Sequence, residues 1–209
     1  MEMAEETPAS VISRAEEVLQ TAKLGLDDLR LGNRPRKSSG LKNLIVWGRA
    51  FTNVLERLRG FRNLAFDDWY AKYENEMRND ELMRFFYNLR SRVLKEGEPL
   101  PVKTGFIVKG PFTFPKDLER FGPKPKGTTG AFIDANGAGW TVATVNGMEL
   151  KYYVPLPRQV ANPFMDFAEP PQTHLGISLK GKSLEELAEM YLGYLSRMLE
   201  DAKREFGKV

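Results

Sequence analysis

The sequence predicts an α+β chain: a mainly α-helical bundle of about four to five helices, with a β-hairpin-rich insertion before the last helix. Three observations carry this. Apolar residues recur at helical spacing through residues 8–94 and again through 184–199. Between those stretches, residues 100–160 turn rich in Gly, Pro, Thr and aromatics. Within them, Asn146-Gly147 separates two strand-like runs, and such a pair is a strong hairpin signal because both turn positions need φ > 0. The implied organisation is a helical bundle from 1–99 and 175–209, with 100–174 as a β-rich insertion and connecting loop.

The first helix starts at Thr7-Pro8, where Thr7 caps and Pro8 needs no N–H partner. Val11, Ala15, Val18, Leu19, Ala22, Leu26 and Leu29 then form its apolar stripe, which stops near Gly32-Asn33. Arg34 to Gly40 reads as a basic Pro/Ser/Gly loop. A second helix runs from about Leu41 to Arg59, with Leu44, Ile45, Trp47, Gly48, Phe51, Val54, Leu55 and Leu58 on one face. A third begins near Asp67 and carries Trp69, Tyr70, Tyr73 and Met77; Asn79-Asp80 breaks or recaps it. From Glu81 the pattern resumes through Leu82, Met83, Phe85, Phe86, Leu89, Val93 and Leu94, closing at Gly97 and Pro99. Trp47, Trp69 and the Phe85-Phe86 pair read as core.

Phe106–Val108, Ala131–Ile133, Trp140–Val145 and Met148–Val154 read as strands, with Asn136-Gly137 as a second turn and 121–130 as an exposed loop. Strand alternation exposes one of Tyr152 and Tyr153 at most. Residues 161–182 read as a long connection. The last helix opens on a capping box, Ser183 with Glu186 three residues on, and buries Leu184, Leu187, Ala188, Tyr191, Leu192, Leu195 and Leu199.

A chain of 209 residues, 42% apolar and 28% charged, is long enough for a sizeable core without staples. It has no cysteine, which excludes disulfides, thiol catalysis and cysteine-based zinc sites. The acidic start, Met1 to Glu6, lacks a secretory leader's layout, and no apolar run nears the roughly 18–20 residues that span a bilayer. These features predict a cytoplasmic protein with no membrane contact. The net charge of +3 is unevenly spread. Residues 1–29 hold seven acids and two bases, a net of −5, while 30–62 hold nine bases and one acid, a net of +8. Such asymmetry marks either a phosphate-facing surface or two helices that pair their opposite charges.

One stretch carries candidate chemistry. Arg90, Ser91, Arg92 and Lys95 close the fourth helix, which exits through Gly97-Glu98-Pro99. Arg90 and Lys95 stand about 140° apart in α-helical projection. Cations there also complement the helix macrodipole, so a plain helix C-terminus explains them too. His174 is the single histidine and reads as a hydrogen-bonded residue of a surface loop. One histidine cannot build a histidine-rich metal site, so no metal or cofactor is expected. Asp67 reads as a cap, and Gly137-Ala138-Gly139 lacks the Lys-Ser/Thr of a phosphate loop.

The run Phe86-Tyr87-Asn88-Leu89-Arg90-Ser91-Arg92-Val93-Leu94-Lys95-Glu96-Gly97 resembles the signature helix of HEPN-domain proteins. These are small helical bundles, many of them metal-independent ribonucleases of toxin–antitoxin, defence and RNA-processing systems. Their motif is Arg, a polar residue, a short spacer and His, commonly followed by an acid and Gly. Arg90 matches the Arg, Ser91 the polar position and Glu96-Gly97 the tail, while Lys95 stands where the family has His. The resemblance spans about residues 8–99 and 175–206. It implies a homodimer across the signature helix, with Arg90 and Lys95 near a two-fold cleft. The family's His acts with the Arg when the RNA 2′-hydroxyl attacks its neighbouring phosphate. Lysine, with an ordinary pKa of about 10.4, supplies charge but no base poised near neutrality. The resemblance therefore implies a non-catalytic binding or regulatory protein that contacts RNA phosphate through Arg90, Ser91, Arg92 and Lys95. Two alternatives stand beside it. One is an active endoribonuclease using Arg90 and Lys95, joined by Arg92 or Tyr87. The other is a protein-interaction module working through 100–174 without nucleic acid.

Overall fold

The computed structural model describes residues 6–31, 34–62, 64–96, 99–108, 110–134, 137–157 and 159–207. Five α-helices and seven strands are present among them. The chain divides into two compact units, 1–100 with 169–209, and 101–168. Residues 100 and 169–174, expected to belong with the insertion, fall in the helical unit.

In the helical unit, α1 (Pro8–Leu31) begins as expected. Ser10 N–H donates to Thr7 Oγ1 at 3.2 Å, and Thr7 N–H to Ser10 Oγ at 3.0 Å. Helix α2 (Arg34–Leu55) starts well before Leu41, so the expected loop at 34–40 is helical. Pro35 falls in the first turn, where a missing N–H costs nothing. Gly40 meets Gly25 of α1 so closely that a Cβ on either would lie 2.6 Å from the other's carbonyl oxygen. The two helices therefore run antiparallel with backbones nearly touching. A 3₁₀ turn, Glu56–Gly60, ends the segment. Trp47 is 39% exposed, not core. The buried face of α2 runs through Leu41, Leu44, Ile45, Gly48, Phe51, Thr52 and Leu55, and Trp47 sits at its margin.

Helices α3 (Phe66–Asn79) and α4 (Glu81–Ser91) meet at Asp80, whose carboxylate caps α4 by accepting from Met83 N–H at 2.9 Å. From Arg92 to Glu96 the chain takes a π-type turn. Helix α5 (Leu184–Phe206) carries the expected capping box, with Glu186 N–H to Ser183 Oγ at 3.2 Å and Ser183 N–H to Glu186 Oε2 at 2.9 Å. Every apolar residue assigned to its buried face is buried. No helix among the described residues is long and apolar enough to cross a membrane.

The second unit holds a pair, β1 (Val102–Val108) with β5 (Ala161–Phe167), and a three-stranded antiparallel sheet, β2 (Thr128–Asp134), β3 (Gly137–Ala143) and β4 (Glu149–Val154). Its core is Leu118, Ala138, Trp140 and Val154. The Asn146-Gly147 hairpin forms with Thr144 N–H donating to Met148 O at 2.8 Å, but of the two turn residues only Gly147, at φ +74°, takes the positive φ expected of both. Strand β3 ends at Ala143, two residues before the expected end. The Asn136 half of the other expected turn lies outside the described residues. Tyr152 and Tyr153 are both exposed, at 46% and 39%, against the expectation of one at most. They point to opposite faces, and a sheet this small covers neither face fully.

Candidate functional site

The helical unit contains a cavity of about 540 Å³ between α2, α3, α4 and α5. Arg49 of α2, Arg59 of the 3₁₀ turn, Arg78 of α3 and Arg84 of α4 all reach it, facing two carboxylates, Glu56 and Glu74. The floor is apolar, with Met83 and Leu195 buried beneath it.

Several of these groups are held in place. Arg49 donates to Thr52 Oγ1, lies 3.9 Å from Glu56, and stacks its guanidinium over the Tyr87 ring at 5.4 Å. Glu56 accepts from the Tyr70 hydroxyl at 2.8 Å. Burial, reinforced by that carboxylate, pushes the Tyr70 phenol above its ordinary pKa. Arg59 donates through Nε to Asp67 at 2.7 Å, and Arg78 pairs with Glu74 at 2.9 Å. The Arg84 guanidinium makes no hydrogen bond or ion pair among the described residues. Glu56, Glu74 and Asp67 answer Arg49, Arg78 and Arg59, which leaves Arg84 as the lining cation without an ion pair among the described residues.

Tyr191 closes the floor. Its ring stacks on Phe86 at 4.3 Å and 10°. Its hydroxyl edge lies against Gly48, where a Cβ would come within 2.6 Å of the ring. Burial raises its pKa, so the phenol keeps its proton at neutral pH.

A second polar cluster anchors the connection that leads into α5. His174, expected on a surface loop, is 4% exposed, with Nδ1 2.9 Å from Asp80 Oδ1. Burial opposes ionisation of Asp80. Hydrogen bonds from His174, Leu175 N–H (2.6 Å) and Met83 N–H nevertheless hold its pKa below the ordinary value. An ionised Asp80 only accepts, so His174 Nδ1 carries the proton. Beside it, Glu81 accepts from Thr173 N–H and Oγ1, both at 3.0 Å. The cluster ties the short strands β6 (Thr173–His174) and β7 (Ile177–Ser178) to the start of α4.

The residues singled out from sequence sit at the end of α4 and in the turn that follows it. Arg90 and Ser91 are half-buried and Arg92 is exposed; none of the three lines the cavity. The side chain of Lys95 lies outside the described residues, as do Gly97 and Glu98. The 140° projection between Arg90 and Lys95 assumed a continuous α-helix, and the π-type turn from Arg92 onward breaks that geometry. The cavity itself draws on α4 through Met83, Arg84, Tyr87 and Asn88. Its sequence trace was Gly48, a helix-interior glycine that admits the Tyr191 ring.

The charge asymmetry is largely taken up by ion pairs. Asp28 meets Arg36, Glu6 meets Arg14 and Arg57, and Glu16 meets Lys203 at 2.6 Å. Arg30 and Lys37 reach Glu189 and Glu185 of α5. Among the described residues, no group of three or more His, Asp or Glu is placed to hold a metal ion. Neither a protein-family model, nor a curated protein, nor a solved structure matches this chain.

Proposed function

We propose that the helical unit is a non-catalytic, HEPN-like binding module for a phosphate-bearing partner, single-stranded RNA. The observation that carries the reading is the cavity lined by four guanidiniums and two carboxylates, to which α4 contributes Arg84 before it ends in Arg90 and Ser91, with Arg92 next along the chain. Guanidinium groups match the geometry of phosphate oxygens and stay charged at every physiological pH. The ionisable groups lining the cavity are arginines, carboxylates and tyrosines, and Tyr70 and Tyr191 are pushed further from neutrality by burial. That set binds an anion and supplies no general base poised near pH 7.

The test is anisotropy of a labelled single-stranded RNA oligonucleotide at low and moderate salt. Arg78→Ala with Arg84→Ala, both at exposed positions, weakens binding by about tenfold or more. It also flattens the salt dependence by about 0.7 for each phosphate no longer neutralised. Arg90→Ala with Lys95→Ala is the parallel arm for the helix end. Unchanged affinity and slope in both arms defeat the proposal. RNA cleaved in the presence of chelator, and left intact by Arg90→Ala, defeats the non-catalytic part and restores the nuclease reading.

A further inference from the structure

Strand β4 is an outer strand of its sheet: among the described residues, β3 is its one ladder neighbour. The hairpin fixes which of its backbone groups face outward. Thr144 N–H donates to Met148 O, so Thr144 and Met148 are a hydrogen-bonded pair. In an antiparallel ladder such pairs alternate with pairs that are not hydrogen-bonded. Val142 with Leu150 and Trp140 with Tyr152 are therefore the next bonded pairs, and Glu149, Lys151 and Tyr153 turn their peptide N–H and C=O to the outer edge.

The side chains of β4 are as open as its edge. Every residue from Glu149 to Tyr153 is exposed. Leu150 and Tyr152 share the face that carries Trp140 and Val154 of the core. On that face Leu150 continues a row from Val142, and Tyr152 continues one from Ala131 and Trp140. Both rows stop at β4, where Leu150 is 59% exposed. Met148, just before β4 and on the same face by alternation, is 63% exposed. The opposite face is charged. There Glu149 accepts from Thr129 Oγ1 at 3.3 Å, while Lys151 donates to Asp134 at 2.6 Å and lies over the Phe132 ring. An ammonium carries three donors, enough for more than one carboxylate.

These residues select a partner strand. Outward-facing residues pair with outward-facing residues, so two copies of β4 meet antiparallel in registers two residues apart. Centred on Lys151, the pairing sets lysine against lysine. Centred on Glu149, it sets glutamate against glutamate. Like charges directly opposite repel. Centred on Leu150, it sets Glu149 opposite the partner's Lys151, and Lys151 opposite the partner's Glu149. On the other face it sets Leu150 opposite the partner's Leu150, and Met148 opposite the partner's Tyr152. Met148-Glu149-Leu150-Lys151-Tyr152 is thus its own complement when reversed.

We propose that this chain self-associates through β4, two copies pairing antiparallel about Leu150 to join their three-stranded sheets into one. The pairing uses the same edge on both copies and so closes at two. One strand edge a side is a small interface, which makes the dimer weak and concentration-dependent. The interface lies within the 101–168 unit and does not depend on the RNA reading or on the end of α4.

The full chain is followed by sedimentation velocity across the micromolar to millimolar range. Glu149→Lys and Lys151→Glu are made separately at these exposed positions, and melting curves establish that each folds. Either change turns both symmetric charge pairs repulsive and weakens dimerisation by about tenfold or more. In an equimolar mixture the two variants meet with opposite charges at both pairs, and a heterodimer forms with about the parent's affinity. Leu150→Lys leaves the Asp134 contact of Lys151 alone, sets two ammonium groups at the two-fold centre and abolishes the dimer. The proposal is overturned if the parent stays monomeric throughout, if the single variants dimerise as the parent does, or if their mixture does not dimerise. A dimer that survives all three variants and is lost in Arg90→Ala lies across α4 and also overturns it.

Discussion

An alanine placed at Gly25 and one placed at Gly193 carry the same chemical change into opposite surroundings. In α1, a Cβ on Gly25 would lie 2.6 Å from Gly40 O and 2.8 Å from Leu44 N, both backbone atoms of α2. Ordinary contact begins near 3.4 Å, so the helices must part by about 0.8 Å. Parting them loosens the packing of Leu26, Leu29, Leu41 and Leu44, all buried along the same seam. Overpacking of this kind costs about 1–3 kcal/mol. The better helix propensity of alanine offsets about 1 kcal/mol of that. In α5, a Cβ on Gly193 meets nothing within 4 Å. Gly193→Ala therefore keeps the propensity gain alone, about 0.5–1 kcal/mol of stabilisation. The assay is urea denaturation followed by far-ultraviolet circular dichroism, comparing midpoints at unchanged slope. Gly25→Ala lowers the midpoint, Gly193→Ala raises it, and the two separate by about 1–3 kcal/mol. A Gly25→Ala protein stabilised as much as Gly193→Ala refutes the close α1–α2 contact. A destabilised Gly193→Ala protein refutes the open surface on α5.

Two further outcomes are expected. Asp80→Asn keeps an acceptor for Met83 N–H but removes the charge that His174 and Leu175 N–H face, costing about 1–3 kcal/mol at neutral pH. Because folding depresses the Asp80 pKa, its contribution is complete above the ordinary value of 3.8 and is lost as pH falls through the folded value. The parent thus sheds stability in acid along a limb that Asp80→Asn flattens; equal limbs in a pH series of denaturation midpoints count against the cluster. Ser183→Ala breaks one arm of the α5 capping box and lowers the midpoint by about 1 kcal/mol, and no change argues that Glu186 alone secures the turn.

The parts of the fold legible in the sequence are those set by neighbours close along the chain. The α5 stripe and its capping box, the Thr7-Pro8 start, the recap at Asp80 and the Asn146-Gly147 hairpin all follow from spacings of two to four residues. Expectation and structure part where a distant element decides the outcome. Arg34–Gly40 has loop-like composition, yet it is helical and packs against α1, where Gly40 serves as a contact surface rather than a breaker. Trp47 fits the apolar period but falls at the margin of the buried face. His174 lies in a loop by composition and is buried because Asp80, 94 residues away, holds its Nδ1.

The same division separates the two candidate sites. By itself the sequence determined the helices, the insertion between them and the cationic end of α4, because helical period, caps and tight turns are local physics. Only the tertiary structure decided that Arg49, Arg59, Arg78 and Arg84 share one cavity and that Tyr191 lines it with them. These residues come from five helical segments, α2, the 3₁₀ turn, α3, α4 and α5. No periodicity links them. Their meeting depends on how the helices pack, and that packing turns on Gly25, Gly40 and Gly48, whose missing side chains let backbone or ring approach where any other residue would hold it away.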